Sequence, residues 1–594
     1  MTDRNAPRHA RRLGTVALAA GLLFGGTAAS CHKAGLDTAG ETAAPPDGPG
    51  PVRAAAPVAA APGDWPADAR PEAVIVLSGE TFGYLQPCGC SRPQQGGLER
   101  RANLIAGLKA KGWPVVAADL GDLYPLDDPD HPIGPPRLRL PAEQARLKYV
   151  TSLHALRDMG YVAVGVGKTE FDGGLVRLVA EYALQKERPP FTLAGNVLGL
   201  SDGKPVLREQ FFPPADGGTR PTVGLAEVTA AGPVAVGVVG VVGKDVSGVG
   251  RKSDKSLEFE DTQTVLKRAV ALLPDPARKP AVNVLLYQDS AANAEAVAKD
   301  RPEFQVILCR SDDPEPPQFP RVVTHPDGRK TLVVQVGHKG RYVGLVGAFG
   351  RPGGGLDLKY RLVALGEEYL TPPGEEAAKA NPALARIEEY AREVKDRGFL
   401  GKVPQAPHPS QLRQPKLNLS FVGADRCAGC HPGEYAKWKS TRHSHAYEAL
   451  EKATRPGLRQ YDPECAVCHT VGYGFKTGYV AADKTPGLLH NGCENCHGPG
   501  SGHMGAPRNA DLLKLQSPWK AGDPANRLPD VATMEKIAAL PRERQNEVPL
   551  TPAQALAVNN VSRMCMRCHD GDNDPHFDLF KYWPKVAHPG LAGK

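Results

Sequence analysis

The stretch Cys465-Ala-Val-Cys468-His469-Thr-Val-Gly472 decides how the C-terminal third of the chain is read. Its two thiols stand three positions apart, and an imidazole follows the second directly. The same arrangement recurs at Cys427-Ala-Gly-Cys430-His431, Cys493-Glu-Asn-Cys496-His497 and Cys565-Met-Arg-Cys568-His569. Together the four copies use every cysteine beyond Cys309. Paired cysteines alone would suit zinc, but zinc gives no reason for a histidine after all four pairs. Covalent haem does. Two thiols add to the two vinyl groups, and the adjacent histidine is brought under the iron. Four c-type haems are expected, with His431, His469, His497 and His569 as proximal ligands.

Working outward, residues 421–594 hold six further histidines: His443, His445, His490, His503, His576 and His588. Six candidates for four irons make a second axial imidazole available throughout. Bis-histidine iron is saturated and favours electron transfer over substrate chemistry. The region has few long apolar runs, so four macrocycles would supply much of its core. Without them the segment is expected to fold poorly.

Around these motifs the sequence resembles the tetrahaem cytochrome c family typified by the electron acceptor of hydroxylamine oxidoreductase. The resemblance is carried by Tyr435, Trp438, Ser440, His443 and Ala446, by Cys465 to Gly472, and by Gly492 to His503. It continues through Asp574-Pro575, Phe577, Tyr582-Trp583-Pro584 and His588. It implies that His443 ligates the third iron, His503 the first, and His588, or else His576, the fourth. It leaves the second iron five-coordinate or filled by His490 or His445.

Upstream the pattern changes. Ala73 to Leu77, Pro114 to Asp119, Val162 to Val166, Val234 to Val242, Val282 to Tyr287, Val306 to Cys309, Thr331 to Val336 and Tyr342 to Ala348 are short apolar runs of strand length. Helical spacing falls between some of them, at Leu98 to Lys111, Ala142 to Met159, 261–273 and 291–299. Such alternation predicts an α/β domain over residues 71–366. A charged helical segment, Glu375 to Arg397, then leads through Pro404, Pro407, Pro409 and Pro415, so 367–418 reads as helix and linker. The haem-motif domain, mainly α and loop-rich, occupies 419–594.

The α/β segment resembles the calcineurin-like metallophosphoesterases, especially the 5′-nucleotidase branch, which implies an α/β sandwich. The matching residues include Asp119-Leu-Gly-Asp122, Gly96-Gly-Leu-Glu-Arg100 and Gln335-Val-Gly-His-Lys-Gly340. In that family paired metals activate water and clamp a phosphate. This sequence departs at most ligand positions. Glu80 and Phe82 stand for Asp and His, Lys168 and Thr169 for Asn and His, and Gln288 for a loop His. The domain is therefore expected to be an inactive binding or docking module. Cys88-Gly-Cys90 and Cys309 lie after strands of this fold, and are expected either to hold a soft thiolate metal or to be disulfide-bonded or free thiols.

At the N-terminus Arg4, Arg8, Arg11 and Arg12 precede the uncharged run Leu13 to Ala29. That run reads as an export signal within residues 1–31. Cys31 fits a lipoprotein cleavage site that would anchor the chain to a membrane; ordinary cleavage near Ala29-Ser30 is the alternative. Residues 32–70, rich in Ala, Pro and Gly, read as a flexible tether. The 594-residue chain carries a net charge of +7, mostly balanced by acids, which argues against nucleic acid as a partner.

The sequence thus predicts a periplasmic or membrane-anchored electron carrier served by a redox partner protein or a quinol-linked donor. Two alternatives are a haem oxidoreductase acting on a small nitrogen or oxygen species at an open iron, and an active metallophosphoesterase fused to a cytochrome.

Overall fold

The computed structural model describes residues 65, 70–87, 93–126, 140–183, 190–206, 208–213, 221–523, 525–571 and 573–588. The expected export signal, Cys31, most of the tether, Cys88 and Cys90 lie outside these.

The α/β domain is a four-layer sandwich. Its first sheet has seven strands. At its centre β1 (Ala73–Ser78), β2 (Val115–Asp119), β3 (Tyr161–Gly165) and β4 (Phe191–Leu193) run parallel. The strands Tyr342–Gly350 and Leu356–Ala364 extend it antiparallel beyond β1, and Val223–Gly224 closes the other edge. The second sheet has six strands, with Val234–Val242, Ala281–Gln288, Val306–Cys309 and Lys330–Val334 parallel at its centre.

Strand alternation explains why these runs are apolar on both faces. Ala73, Ile75 and Leu77 of β1 meet Val236, Val238, Val284 and Leu308 in the layer between the sheets. Val74 and Val76 point the other way, into a cluster with α1 (Leu98–Ala110) and α2 (Ala142–Met159). Val239, Val241, Leu285 and Ile307 do the same for the helices Thr262–Val270 and Ala291–Asp300 on the far side.

Two features depart from the sequence reading. A small three-stranded sheet, Val197–Ser201, Lys204–Val206 and Leu257–Phe259, was not foreseen, since its strands are short and partly exposed. The segment expected as helix and linker is not a free connector. It forms two helices, Glu375–Ala380 and Pro382–Asp396, divided at Asn381, whose side chain accepts the Leu384 amide at 3.0 Å. The second helix buries Ala383, Ile387, Tyr390 and Val394 in the cluster that holds α1 and α2. That i, i+4, i+7 stripe lies among charges, and it docks the helix on the α/β domain.

The region after residue 418 contains short helices and 3₁₀ turns around two small apolar clusters. It is tied to the α/β domain at several points. Lys148 of α2 pairs with Glu464 at 2.5 Å. Gln144 donates to both Tyr390 and Asp462, at 2.9 and 3.2 Å. The Tyr473 hydroxyl donates to the Leu400 carbonyl at 2.8 Å. Among the described residues no helix is long and apolar enough to cross a membrane.

Candidate functional site

Each motif sits on or beside a short helical turn that aims the two thiols and the imidazole. Pro463–His469 and Cys493–His497 carry the second and third. Asp462 caps the former by accepting the Glu464 amide at 3.0 Å. The fourth begins at the C-terminus of Pro552–Cys565, and the first lies in the turn before Pro432–Lys439.

Three of the four motif histidines face a remote imidazole across a constant gap. His431 faces His503, His497 faces His588 and His569 faces His443, each with ring centres 6.1 Å apart. An imidazole nitrogen lies ~2 Å from a ligated transition metal and ~1.1 Å from its own ring centre, so a linear histidine–metal–histidine unit spans ~6.2 Å. The spacing fits one iron between each pair. Nδ1 of His503 and of His588 is buried with no hydrogen-bond partner, as suits a nitrogen that meets a metal. Burial pushes His443 down to about 4, with a smaller contribution from His569. The imidazole is therefore held in the neutral form that ligates metals.

The proximal rings are also oriented. Nδ1 of His469 lies 2.6 Å from the Ala446 carbonyl, that of His497 lies 2.7 Å from the Gln516 carbonyl, and that of His569 lies 2.8 Å from the Asp574 carboxylate. Donation of Nδ1–H to an oxygen leaves the Nε2 lone pair free for iron.

The pairs correct the expected distal assignment. His503 lies opposite the first motif, as the resemblance implied. His443 stands opposite the fourth motif rather than the third, and His588 opposite the third rather than the fourth. Order along the chain did not reveal this, because the partners belong to segments that meet only in the tertiary fold. His576 is in neither pair.

The second motif differs. Among the described residues no imidazole faces His469. His490 instead accepts the Tyr447 amide through Nδ1 at 3.3 Å. Its neutral ring then carries a proton on Nε2 and is not set to ligate through that atom. His445 is exposed and holds Glu448 at 2.9 Å.

The motifs lie close together in series. Cys427 lies within electrostatic range of Cys493, which brings the first and third together. Cys496 lies within electrostatic range of Cys565 and Cys568, linking third and fourth. Cys568 lies beside Cys468, which brings the fourth and second together.

The strand ends of the α/β domain present a different chemistry. Asp119 closes β2 and is bonded by Ser78 at 2.5 Å and by Arg101 at 3.3 Å. Gly121 and Asp122 turn the chain with φ of 102° and 58°. Both values lie in the left-handed region, and a Cβ at Gly121 would sit 2.7 Å from the Gly165 carbonyl, so the glycine is required there. Asp122 then accepts the Thr169 amide at 2.8 Å. Glu170 accepts the amides of Asp122, Leu123 and Gly167. Glu80 accepts the Ser311 amide at 2.8 Å. Gln288 donates to the Leu120 carbonyl, and Phe82 packs edge-on against His338.

These residues do not fit a pair of metals. Their carboxylates already hold backbone amides, and the Phe82, Lys168 and Gln288 side chains beside them are not metal ligands. Among the described residues no group of three or more His, Cys, Asp or Glu could hold a metal ion. Cys309 matches the free-thiol alternative. As the last residue of its strand it faces the helix-side core, donates to the Val334 carbonyl, and burial pushes its thiol well above the ordinary range. A protonated core thiol is not a soft-metal ligand.

The fold and sites define an α/β sandwich joined to a region whose Cys-x-x-Cys-His motifs and facing imidazoles are the donor set of a c-type cytochrome. More particularly, residues 426–498 match the family model described as cytochrome c554 and c-prime. Cytochrome c-554 of Nitrosomonas europaea is 36% identical over 101 residues, which are 15% of this chain and 43% of that protein. The chain thus spans less than half the length of this curated relative. The solved structure of reduced cytochrome c554 from Nitrosomonas europaea aligns with 27% of this chain and 71% of its own, at 24% identity and a TM-score of 0.16. A 5′-nucleotidase precursor from Thermus thermophilus aligns with 54% of this chain and 59% of its own, at 20% identity and a TM-score of 0.40.

Proposed function

We propose that the chain is an exported electron carrier with four covalently attached haems. Three are held between histidine pairs, and the α/β domain serves as a degenerate phosphoesterase-like docking module. The observation that carries this is the common 6.1 Å spacing, each time between one motif histidine and one remote histidine. Bound haem supplies one-electron chemistry at iron. The chain's own residues fix its conditions. His431, His497 and His569 would each hold an iron from one side, and His503, His588 and His443 would hold it from the other and keep small ligands out. The proximity of the motifs in the order first, third, fourth, second supports a carrier. The donor is expected to be a redox protein or a quinol-linked enzyme on the outer side of a membrane, and Cys31 a lipid anchor.

A second reading is favoured at one site only. Among the described residues the face opposite His469 has no imidazole, so a small nitrogen or oxygen species could reach that iron. Two measurements test both readings on holoprotein from a host able to attach haem. Intact mass must show four added macrocycles. The EPR spectrum must show three low-spin irons and one high-spin iron that responds to nitric oxide. Four low-spin signals would end the second reading; a colourless protein without added mass would end the first.

A further inference from the structure

The three oriented proximal rings do not share one kind of partner. At the second and third motifs the Nδ1 acceptor is a backbone carbonyl, from Ala446 and Gln516. At the fourth it is the Asp574 carboxylate, 2.8 Å from His569. Asp574 is fixed in place. Its amide donates to the Asp570 carbonyl at 2.8 Å, its carbonyl accepts the Phe577 amide at 2.9 Å, and its side chain is 7% exposed. The His569 ring is clamped as well, stacked on Phe577 at 5.1 Å and met edge-on by Tyr582 at 5.6 Å.

Orientation alone would be served by either acceptor, but charge is not. A carboxylate makes a charge-assisted bond roughly twice as strong as a neutral one. It draws the Nδ1 proton toward itself and makes the ring a more basic ligand. It also sets a negative charge one ring away from the metal, in surroundings that screen it poorly. Both effects favour the more positive oxidation state of a bound iron.

We infer that Asp574 is a positioning residue that holds the fourth haem at a lower midpoint potential than it would have with a neutral acceptor. The inference rests on the four-haem reading above. It means that the chain sets one member of the series apart by a single buried carboxylate rather than by a different axial ligand, since His443 completes the same histidine pair as elsewhere.

The test is Asp574→Asn in the full-length holoprotein. The amide oxygen still accepts from Nδ1, so ring orientation is kept while charge is lost. Haem number is first read from intact mass, and potentials from an optical redox titration. With four haems present, one midpoint is expected to rise while the other three stay and all low-spin signals persist. Unchanged midpoints, or a fall, would overturn the inference. Absence of haem from the wild-type chain would instead overturn the reading beneath it. Should the variant lose the fourth haem, Tyr582→Phe decides. The Tyr582 hydroxyl donates to the other Asp574 oxygen at 3.5 Å. Its loss leaves the carboxylate more basic while the ring packing stays, so the same midpoint is expected to fall by a smaller amount. No change, or a rise, would overturn the inference.

Discussion

His443 and His569 stand ring to ring at 6.1 Å, one from the loop after the first haem motif and the other from the last motif in the chain. This crossing is open to a genetic test. His443→Ala is expected to convert one low-spin EPR signal into a high-spin one, as is His588→Ala. Removing the fourth haem by Cys565→Ser with Cys568→Ser should make the His443 change silent. The His588 change should still create a high-spin iron in that background, because His588 faces His497 of the third motif. The opposite pattern would restore the assignment implied by sequence resemblance.

The two domains meet at the helix that carries the second motif. Lys148 is 7% exposed and pairs with Glu464 one residue before Cys465. Asp462, which Gln144 bonds, caps the same helix. Lys148→Ala removes a half-buried pair, which places its cost at about 1–2 kcal/mol, between exposed and buried examples. In thermal melts of the holoprotein the Soret and far-ultraviolet transitions are expected to separate as the domains uncouple. In the EPR spectrum the second site should change while the three low-spin signals stay. Coincident, unshifted transitions would show that the contact does not couple the domains.

How much of this was legible beforehand depended on whether the signal was local. Cys-x-x-Cys-His is a contiguous chemical instruction, so all four copies of the motif could be read directly. The helix Ala142–Met159 and the strands Val234–Val242 and Val306–Cys309 were bounded as observed, because long apolar runs with clear ends dominate their segments. Distal pairing was not local. His443 and His588 carry no sequence mark that says which motif they face. The direction of Cys309 was not marked either, because a strand-end residue can turn toward the loop or the helix layer, and alternation within Val306–Cys309 sends it to the latter. The helix over Pro382–Asp396 was read, but its docking was obscured by its charges, although its apolar stripe was present.

Arg101 and Asp119 form a buried ion pair at 3.3 Å, with side chains 1% and 0% exposed. Ser78 and Tyr161 complete the network. Its position, at the ends of β1 and β2, makes it a structural knot between the two strands. Arg101→Met leaves the Asp119 charge buried without its cation. Loss of one partner from such a pair is expected to cost about 3–5 kcal/mol. Chemical denaturation followed by far-ultraviolet circular dichroism checks this. Replacing both partners, Arg101→Met with Asp119→Leu, is expected to recover part of the loss, since no lone charge remains.

Glu80 offers a pH test of the neighbouring strand end. Its carboxyl is fully buried, and burial first, then the nearby Asp122, pushes it up to about 8; the Ser311 bonds and Arg310 act the other way. Its backbone sits at φ 51°, a left-handed conformation that costs energy in a non-glycine residue. In the unfolded chain the same group titrates near 4.5. Between these values the folded state binds the proton that the unfolded state has released. This group's contribution is therefore fully present at low pH and lost as pH rises from about 4.5 through about 8, on the order of a few kcal/mol in total. Glu80→Gln stays neutral throughout and still offers an oxygen to the Ser311 amide. The α/β transition of this variant is expected to lose less stability than wild type between pH 5 and pH 9. Identical slopes for the two proteins across that range would mean that Glu80 is ionised in the fold, with its charge held by the Ser311 amide and Arg310.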